Sequence, residues 1–228
     1  MALTSVAVVV GERIAGFELG ILCQVFGLDR SDEELPVYDF AICTPRPGAV
    51  HTTSGFSVQV AHGLERLAEA DIVAVPAWPE LDDPPDPGIG DALSTAYERG
   101  AELLSICTGA FALAAAGLLD GRRATTHWQF MDRFARSFPR VRVERDALYV
   151  SDGPVLTSAE RPRASTRACT WSGVSTVRAW RTPSRAAWWC RPTATAARRS
   201  TSSVHCPSSR ARAWPRCWTG SLSTWTSR

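Results

Sequence analysis

The chain has 228 residues, 45% hydrophobic and 21% charged, a balance that fits a folded domain and excludes a disordered polyelectrolyte. It contains no run of 18 apolar residues, so no membrane-spanning helix is expected, and its seven cysteines, odd in number and without a Cys-x-x-Cys pair, support neither a disulfide framework nor a zinc site. The net charge of +2 hides a division: residues 1–159 hold 12 Arg against 22 acids, whereas residues 160–228 hold 13 Arg against Glu160 alone, with seven of the nine Trp.

The first part alternates strand-like and helix-like segments. Residues 5–10 form a β-branched apolar run, the pattern of a central parallel strand, and they carry neither a basic region nor an export cleavage site, so a cytoplasmic protein is expected. Residues 17–26 place Phe17, Ile21, Leu22, Val25 and Phe26 at helical spacing, with Glu18 in the first turn. That carboxylate is either solvated and suited to the helix dipole or aimed at the end of a neighbouring strand. Residues 37–43 read as a second strand, 44–48 as a breaker-rich loop, 55–60 as a short strand or hairpin arm, and 64–68 as one or two helical turns. Residues 71–76 form another buried strand that stops at a Pro-Ala-Trp turn. A Pro- and Asp-rich loop is expected over 82–90 and a helix over 89–99.

The next stretch organises the rest. Residues 103–106 read as a short buried strand, Cys107 falls at the turn, and Gly109 opens a helix of small apolar residues. A sharp strand-to-helix turn exposing one reactive side chain is the layout of a nucleophile elbow. The amides at the start of that helix would stabilise a thiolate or an anion. The plain alternative is a small buried hydrophobe. Downstream, residues 123–127 read as a strand delivering His127 to its end, 128–138 as an amphipathic helix, and 141–144, 147–150 and 154–157 as short strands. This alternation predicts an open, mostly parallel α/β sheet with helices on both faces. Ligands of such sheets bind beyond the carboxyl ends of the strands, where Cys107, His127 and the turn at Ala77 and Trp78 all fall.

Several stretches resemble the ThiJ/PfpI family, and more closely its branch fused to AraC-type transcription regulators. They are Phe17-Glu-Leu-Gly20, residues 72–78, Ser105-Ile-Cys-Thr-Gly-Ala-Phe111, Ala115-Gly-Leu-Leu-Asp-Gly121, Ala124-Thr-Thr-His-Trp128 and Val155-Leu-Thr-Ser-Ala159, in family order over residues 4–159. The resemblance implies a flavodoxin-like fold, related to class I glutamine amidotransferases, with Cys107 as the elbow residue. It further implies that Glu18 hydrogen-bonds the sulfur and that His127 lies on the same rim. Backbone amides of Cys107, Thr108 and the Ala77–Trp78 turn, with Gly109 beside them, would form an anion or oxyanion pocket. Ala77 stands where the family usually has Gly. Family members are commonly homodimers, and no cofactor or metal is implied.

Residues 160–228 hold no lasting period of 2.0 or 3.6, so an irregular tail is expected. A basic, aromatic arm for nucleic acid is one reading. A frameshifted translation fits better. When codons are read one base earlier, residues 165–171 permit Ile-Asp-Ala-Cys-Leu-His-Leu, 188–193 permit Met-Val-Val-Pro-Pro-His, and 218–227 permit a helix-like Leu-Asp-Trp-Val-Leu-Glu-His-Leu-Asp-Glu. These follow, in order, what the regulator branch carries after its Thr-Ser-Ala segment. One base lost after the Ala159 codon suffices. The chain is then expected to end before a helix-turn-helix forms.

Two functions follow as expectations. The first is the small-molecule-sensing domain of an AraC-type regulator, contacting DNA only through a domain missing from this chain. The second is a stand-alone cysteine hydrolase, amidase or isocyanide hydratase, with Cys107 as nucleophile and Glu18 and His127 as acid–base partners.

Overall fold

Parallel strands buried on both faces need near-continuous apolar runs, and the chain supplies five of them. The computed structural model describes residues 5–29, 31, 36–82 and 85–159, and the backbone of 203–205. In chain order these form β1 (Ser5–Val9), β2 (Arg13–Ile14), α1 (Gly16–Phe26), β3 (Asp39–Cys43), β4 (Gly48–Thr52), β5 (Ser57–Val60) and β6 (Ile72–Val75). Then follow α2 (Pro87–Glu98), β7 (Glu102–Ile106), α3 (Ala110–Ala115), β8 (Arg123–Ala124), α4 (Met131–Ser137), β9 (Arg142–Val143), β10 (Ala147–Asp152), β11 (Val155–Ser158) and β12 (Ser203–His205).

The main sheet has the order β12-β10-β11-β7-β6-β1-β3. β3, β1, β6, β7 and β11 run parallel, and β10 and β12 are antiparallel additions at one edge. Register brings the strand ends level, with Val75 opposite Ser105 and Ile106 opposite Ser158. Strand direction and order make this the flavodoxin-like sheet expected, with its switch point where β3 and β6 flank β1.

Alternation along the strands divides the core. Val73, Leu103 and Val155 face α2, α3 and α4, packing with Ile89, Leu93, Ala112 and Phe134. Ile72, Ala74, Leu104 and Leu156 face α1, packing with Leu19, Leu22 and Phe26. Leu22 and Phe26 are fully enclosed, each contributing roughly 1.5–3 kcal/mol over an exposed side chain.

Some boundaries differ from the sequence reading for identifiable reasons. α2 begins at Pro87, inside the expected loop, because Asp86 caps it, accepting from the Gly88 amide at 2.8 Å, and proline is suited to the first helical turn. The strand expected over 123–127 is only β8, paired with β9 outside the main sheet, because Thr125 and Thr126 spend their hydroxyls on other loops. The helix expected over 128–138 opens with a 3-10 turn, Trp128–Phe130, before α4. β2, β4 and β5 form a small separate sheet of which only the last arm was expected. The expectations for 160–228 lie outside the described residues, apart from the backbone of β12, which pairs with β10. Among the described residues, no helix is long and apolar enough to cross a membrane.

Candidate functional site

β7 ends at Ile106, and the next residue turns sharply. Cys107 has φ +58°, and it is the one non-glycine with positive φ among the described residues. That region costs an L-residue roughly 1–2 kcal/mol, so the surroundings must hold it. Three contacts do. The Thr126 hydroxyl donates to the Cys107 carbonyl at 3.0 Å. The Thr108 hydroxyl donates to the Trp78 carbonyl at 2.9 Å, clasping the turn after β7 to the turn after β6. Gly109 lies against the end of β6: a Cβ there would sit 2.6 Å from the Pro76 carbonyl oxygen and closer still to that of Val75. The elbow then passes through a 3-10 turn, Cys107–Gly109, into the six-residue α3.

The expected partners are each placed by a different element. Cys107, 4% exposed, shares one apolar cluster with Ala77 and with the buried residues of α1. Glu18, in the first turn of α1, is 6% exposed, so the solvated reading of this carboxylate is overturned. Ala77 is buried among the same residues, so a methyl group at this turn is accommodated. Trp78 rests on Gly11, where a Cβ would meet its ring at 2.9 Å.

His127 is 3% exposed and follows directly the threonine that holds Cys107. Its loop is stitched down twice more: the Thr125 amide donates to Thr157 Oγ1 at 2.9 Å, and the Thr125 hydroxyl donates to the Ala147 carbonyl at 3.2 Å. His127 Nδ1 accepts from the Gln129 amide at 3.1 Å, which leaves Nε2 to carry the proton of a neutral ring. The rings of Trp128 and Phe130 flank it, each with its centroid at 5.4 Å.

The other described thiols are suited to packing. Burial, with the Glu65 carboxylate adding to it, pushes the Cys43 thiol up to about 11, and burial also raises Cys23. Both stay protonated near neutral pH, and a thiol is a weak nucleophile. Among the described residues, no group of three His, Cys, Asp or Glu is placed to hold a metal ion.

A cavity of about 710 Å³ opens beyond the carboxyl ends of β1, β3 and β6. Gly11, Glu12, Thr44, Arg46, Trp78 and Glu80 contribute to its wall, and Cys107, Glu18 and His127 do not. Of this wall, sequence reasoning named only Trp78, and it missed Thr126 as the brace of the elbow. The Thr-Thr pair before His127 was in view, but a hydroxyl's partner is not encoded in spacing.

A parallel α/β sheet bearing a strained cysteine at the end of a central strand defines a class of elbow proteins. Within it, the chain belongs to the DJ-1/PfpI family, whose sequence profile matches residues 4–167. The chain is 37% identical over 123 residues to the HTH-type transcriptional regulator CdhR of Pseudomonas aeruginosa, covering 54% of this chain and 36% of that protein. It is 34% identical over 123 residues to the HTH-type transcriptional regulator GlxA of Rhizobium meliloti, covering 54% and 38%. The match thus spans little more than a third of either regulator's length. An isonitrile hydratase of Pseudomonas putida is 31% identical over 87 residues, 36% of this chain and 37% of the enzyme. The fold is also that of the crystal structure of an AraC family transcriptional regulator from Pseudomonas putida, with TM-score 0.56 at 20% identity, covering 69% of this chain and 84% of that one.

Proposed function

We propose that residues 1–159 are the small-molecule-sensing domain of an AraC-type transcriptional regulator, and that such a regulator contacts DNA through a separate domain. The similarity to two HTH-type regulators across 123 residues carries this reading. The elbow is compatible with it, because a braced, buried cysteine can line a ligand pocket as well as do chemistry. The partners are then a small-molecule effector and a second copy of the chain. Phe17 and Phe56, 59% and 53% exposed, favour the homodimer: Phe56 lies over Gly16, so both exposed residues belong to the region around the start of α1.

A second reading has its own support. The likeness to an isonitrile hydratase, together with the positive φ of Cys107, favours an enzyme in which the thiol adds to an isocyanide carbon. Water then displaces the thiol and leaves the N-formamide. Glu18 and His127 would move the protons.

One experiment separates the two. The gene is resequenced across the Ala159 codon, and the chain with one base restored there is expressed and incubated with fragmented genomic DNA. A sensor domain predicts that the open frame continues into helix-turn-helix spacing and that defined fragments are retained. An intact native frame, or a restored chain that retains no DNA but hydrates an alkyl isocyanide in a manner lost in Cys107→Ala, overturns it.

A further inference from the structure

We infer that Thr125 and Thr126 form a coupling device: they carry a shift of the Cys107 turn to the β10–β11 pair beside Ala159, where the proposed sensor domain stops. The inference rests on the sensor reading, since a sensor must hand a signal from its pocket to the residues beyond.

β8 ends at Ala124, so the next two residues belong to no strand, and hydroxyl groups pin them. The Thr126 hydroxyl donates to the Cys107 carbonyl at 3.0 Å. Thr125 reaches β10 and β11 instead. Its amide donates to Thr157 Oγ1 on β11 at 2.9 Å, and its hydroxyl donates to the Ala147 carbonyl at the start of β10 at 3.2 Å. One residue further along β10, the Leu148 carbonyl accepts from the Ala159 amide at 2.8 Å. Thr125, Thr126 and Thr157 are at most 1% exposed, so water does not stand in for a bond that breaks.

A chain of bonds transmits a shift only where a second arrangement exists. A buried hydroxyl supplies one here. Among the described residues, Ser105 Oγ and Ser158 Oγ have no hydrogen-bond partner, and an unpaired buried hydroxyl is costly. Ser105 stands directly across from Thr157 in the β7–β11 register, so the two side chains share one face of the sheet. When the Cys107 turn draws Thr126 away, and Thr125 with it, Thr157 Oγ1 loses the Thr125 amide and gains the Ser105 hydroxyl as donor. One bond replaces another, and the tie from Thr125 to β10 is released.

The test is hydrogen exchange of the 228-residue chain, read by mass spectrometry in peptides covering residues 145–159, before and after treatment with methyl methanethiosulfonate. The reagent transfers its methylthio group to the Cys107 thiolate, and methanesulfinate leaves. Cys107→Ala, treated alike, subtracts the response of the other cysteines. Modification is expected to speed exchange over 145–159 about tenfold while β1 keeps its rate, the mark of local and not global opening. Ser105→Ala removes only the alternative partner. Its exchange before modification should match the parent, and its response should fall below about twofold. Thr126→Val should lose the response as well, and Thr126→Ser should restore it. Where the buried thiol takes no label, Cys107→Val moves the turn instead, because a β-branched residue does not tolerate the positive φ, and Cys107→Gly, which does, is its reference. No change over 145–159 on moving the turn, or a response undiminished in Ser105→Ala or in Thr126→Val, overturns the inference. None of these results touches retention of DNA by the frame-restored chain, so the sensor reading fails or survives separately.

Discussion

Cys107 is kept in a backbone conformation that its own Cβ disfavours, and the strain is held by neighbours on three sides. Thr126 takes its carbonyl, Thr108 ties the turn to Trp78, and Gly109 lets the chain pass against the end of β6. The last of these tolerates least. A side chain at 109 would meet backbone carbonyls of Val75 and Pro76, and β6 is hydrogen-bonded on both sides, to β1 and β7, and cannot retreat. Gly109→Ala is therefore expected to destabilise the domain by about 3 kcal/mol or more, the upper range for overpacking. Urea unfolding followed by far-ultraviolet circular dichroism measures it. A loss below about 1 kcal/mol, the ordinary cost of a substitution, would mean that the elbow is looser than drawn.

Among the elements, β7 combines a fully buried run with a charged start. Glu102 opens the strand, its amide bonded to the Asp71 carbonyl, and burial raises the pKa of its carboxyl group. The sign follows from linkage: a carboxyl group with a higher pKa folded than unfolded binds its proton more tightly in the native state. Its ionisation thus lowers stability as pH rises through the carboxylate range, and the deficit persists at neutral pH. Glu102→Gln is expected to stabilise the chain at pH 7 by roughly 0.5 kcal/mol or less, the site being partly exposed, and to have no such advantage once the carboxyl group is protonated in both states. Denaturant titrations of both proteins at pH 7 and near pH 3.5 check this, and an advantage that grows on acidification would reverse the assignment. β7 also shows what the chain discloses unaided. The apolar runs of β1, β6 and β7 have one meaning in an alternating α/β pattern, and the Cys-Thr-Gly turn after β7 has few others. β4 was illegible because its outward residues, Ala49 and His51, alternate with only two buried ones, Val50 and Thr52. The start of α2 was hidden because Asp86 and Pro87 serve a loop and a helix cap equally well. The cavity wall was beyond reach for another reason: its members come from three separate connections and from β4 and α2, brought together by strand order and not by any local pattern.

Over the whole molecule, the two faces of the sheet are covered unequally among the described residues. One face packs against α2, α3 and α4, and the other packs against α1 together with side chains of the small sheet, Ile14, Val50 and Val60. Strands lie about 4.8 Å apart and a helix is about 10 Å across, so one helix spans about two strands of the five that run parallel. β7 and β11, whose Leu104, Ile106 and Leu156 are buried, form the end of the sheet nearest Ala159, and there the proposed hidden frame begins with an amphipathic segment, Ile-Asp-Ala-Cys-Leu-His-Leu. If that segment packs there as a helix, restoring one base after the Ala159 codon should bury two or three further large apolar side chains. At roughly 1.5–3 kcal/mol each, and about 2–4 °C of melting temperature per kcal/mol for a domain of this size, the restored protein should melt about 10 °C or more above the present chain. It should also show a sharper transition, because more apolar surface then packs into one cooperative unit. Differential scanning calorimetry of the two proteins at equal concentration decides it. A present chain that is dimeric, soluble and as cooperative as the restored one would show that residues 160–228, as they stand, complete the fold, and the frameshift would lose its physical motive.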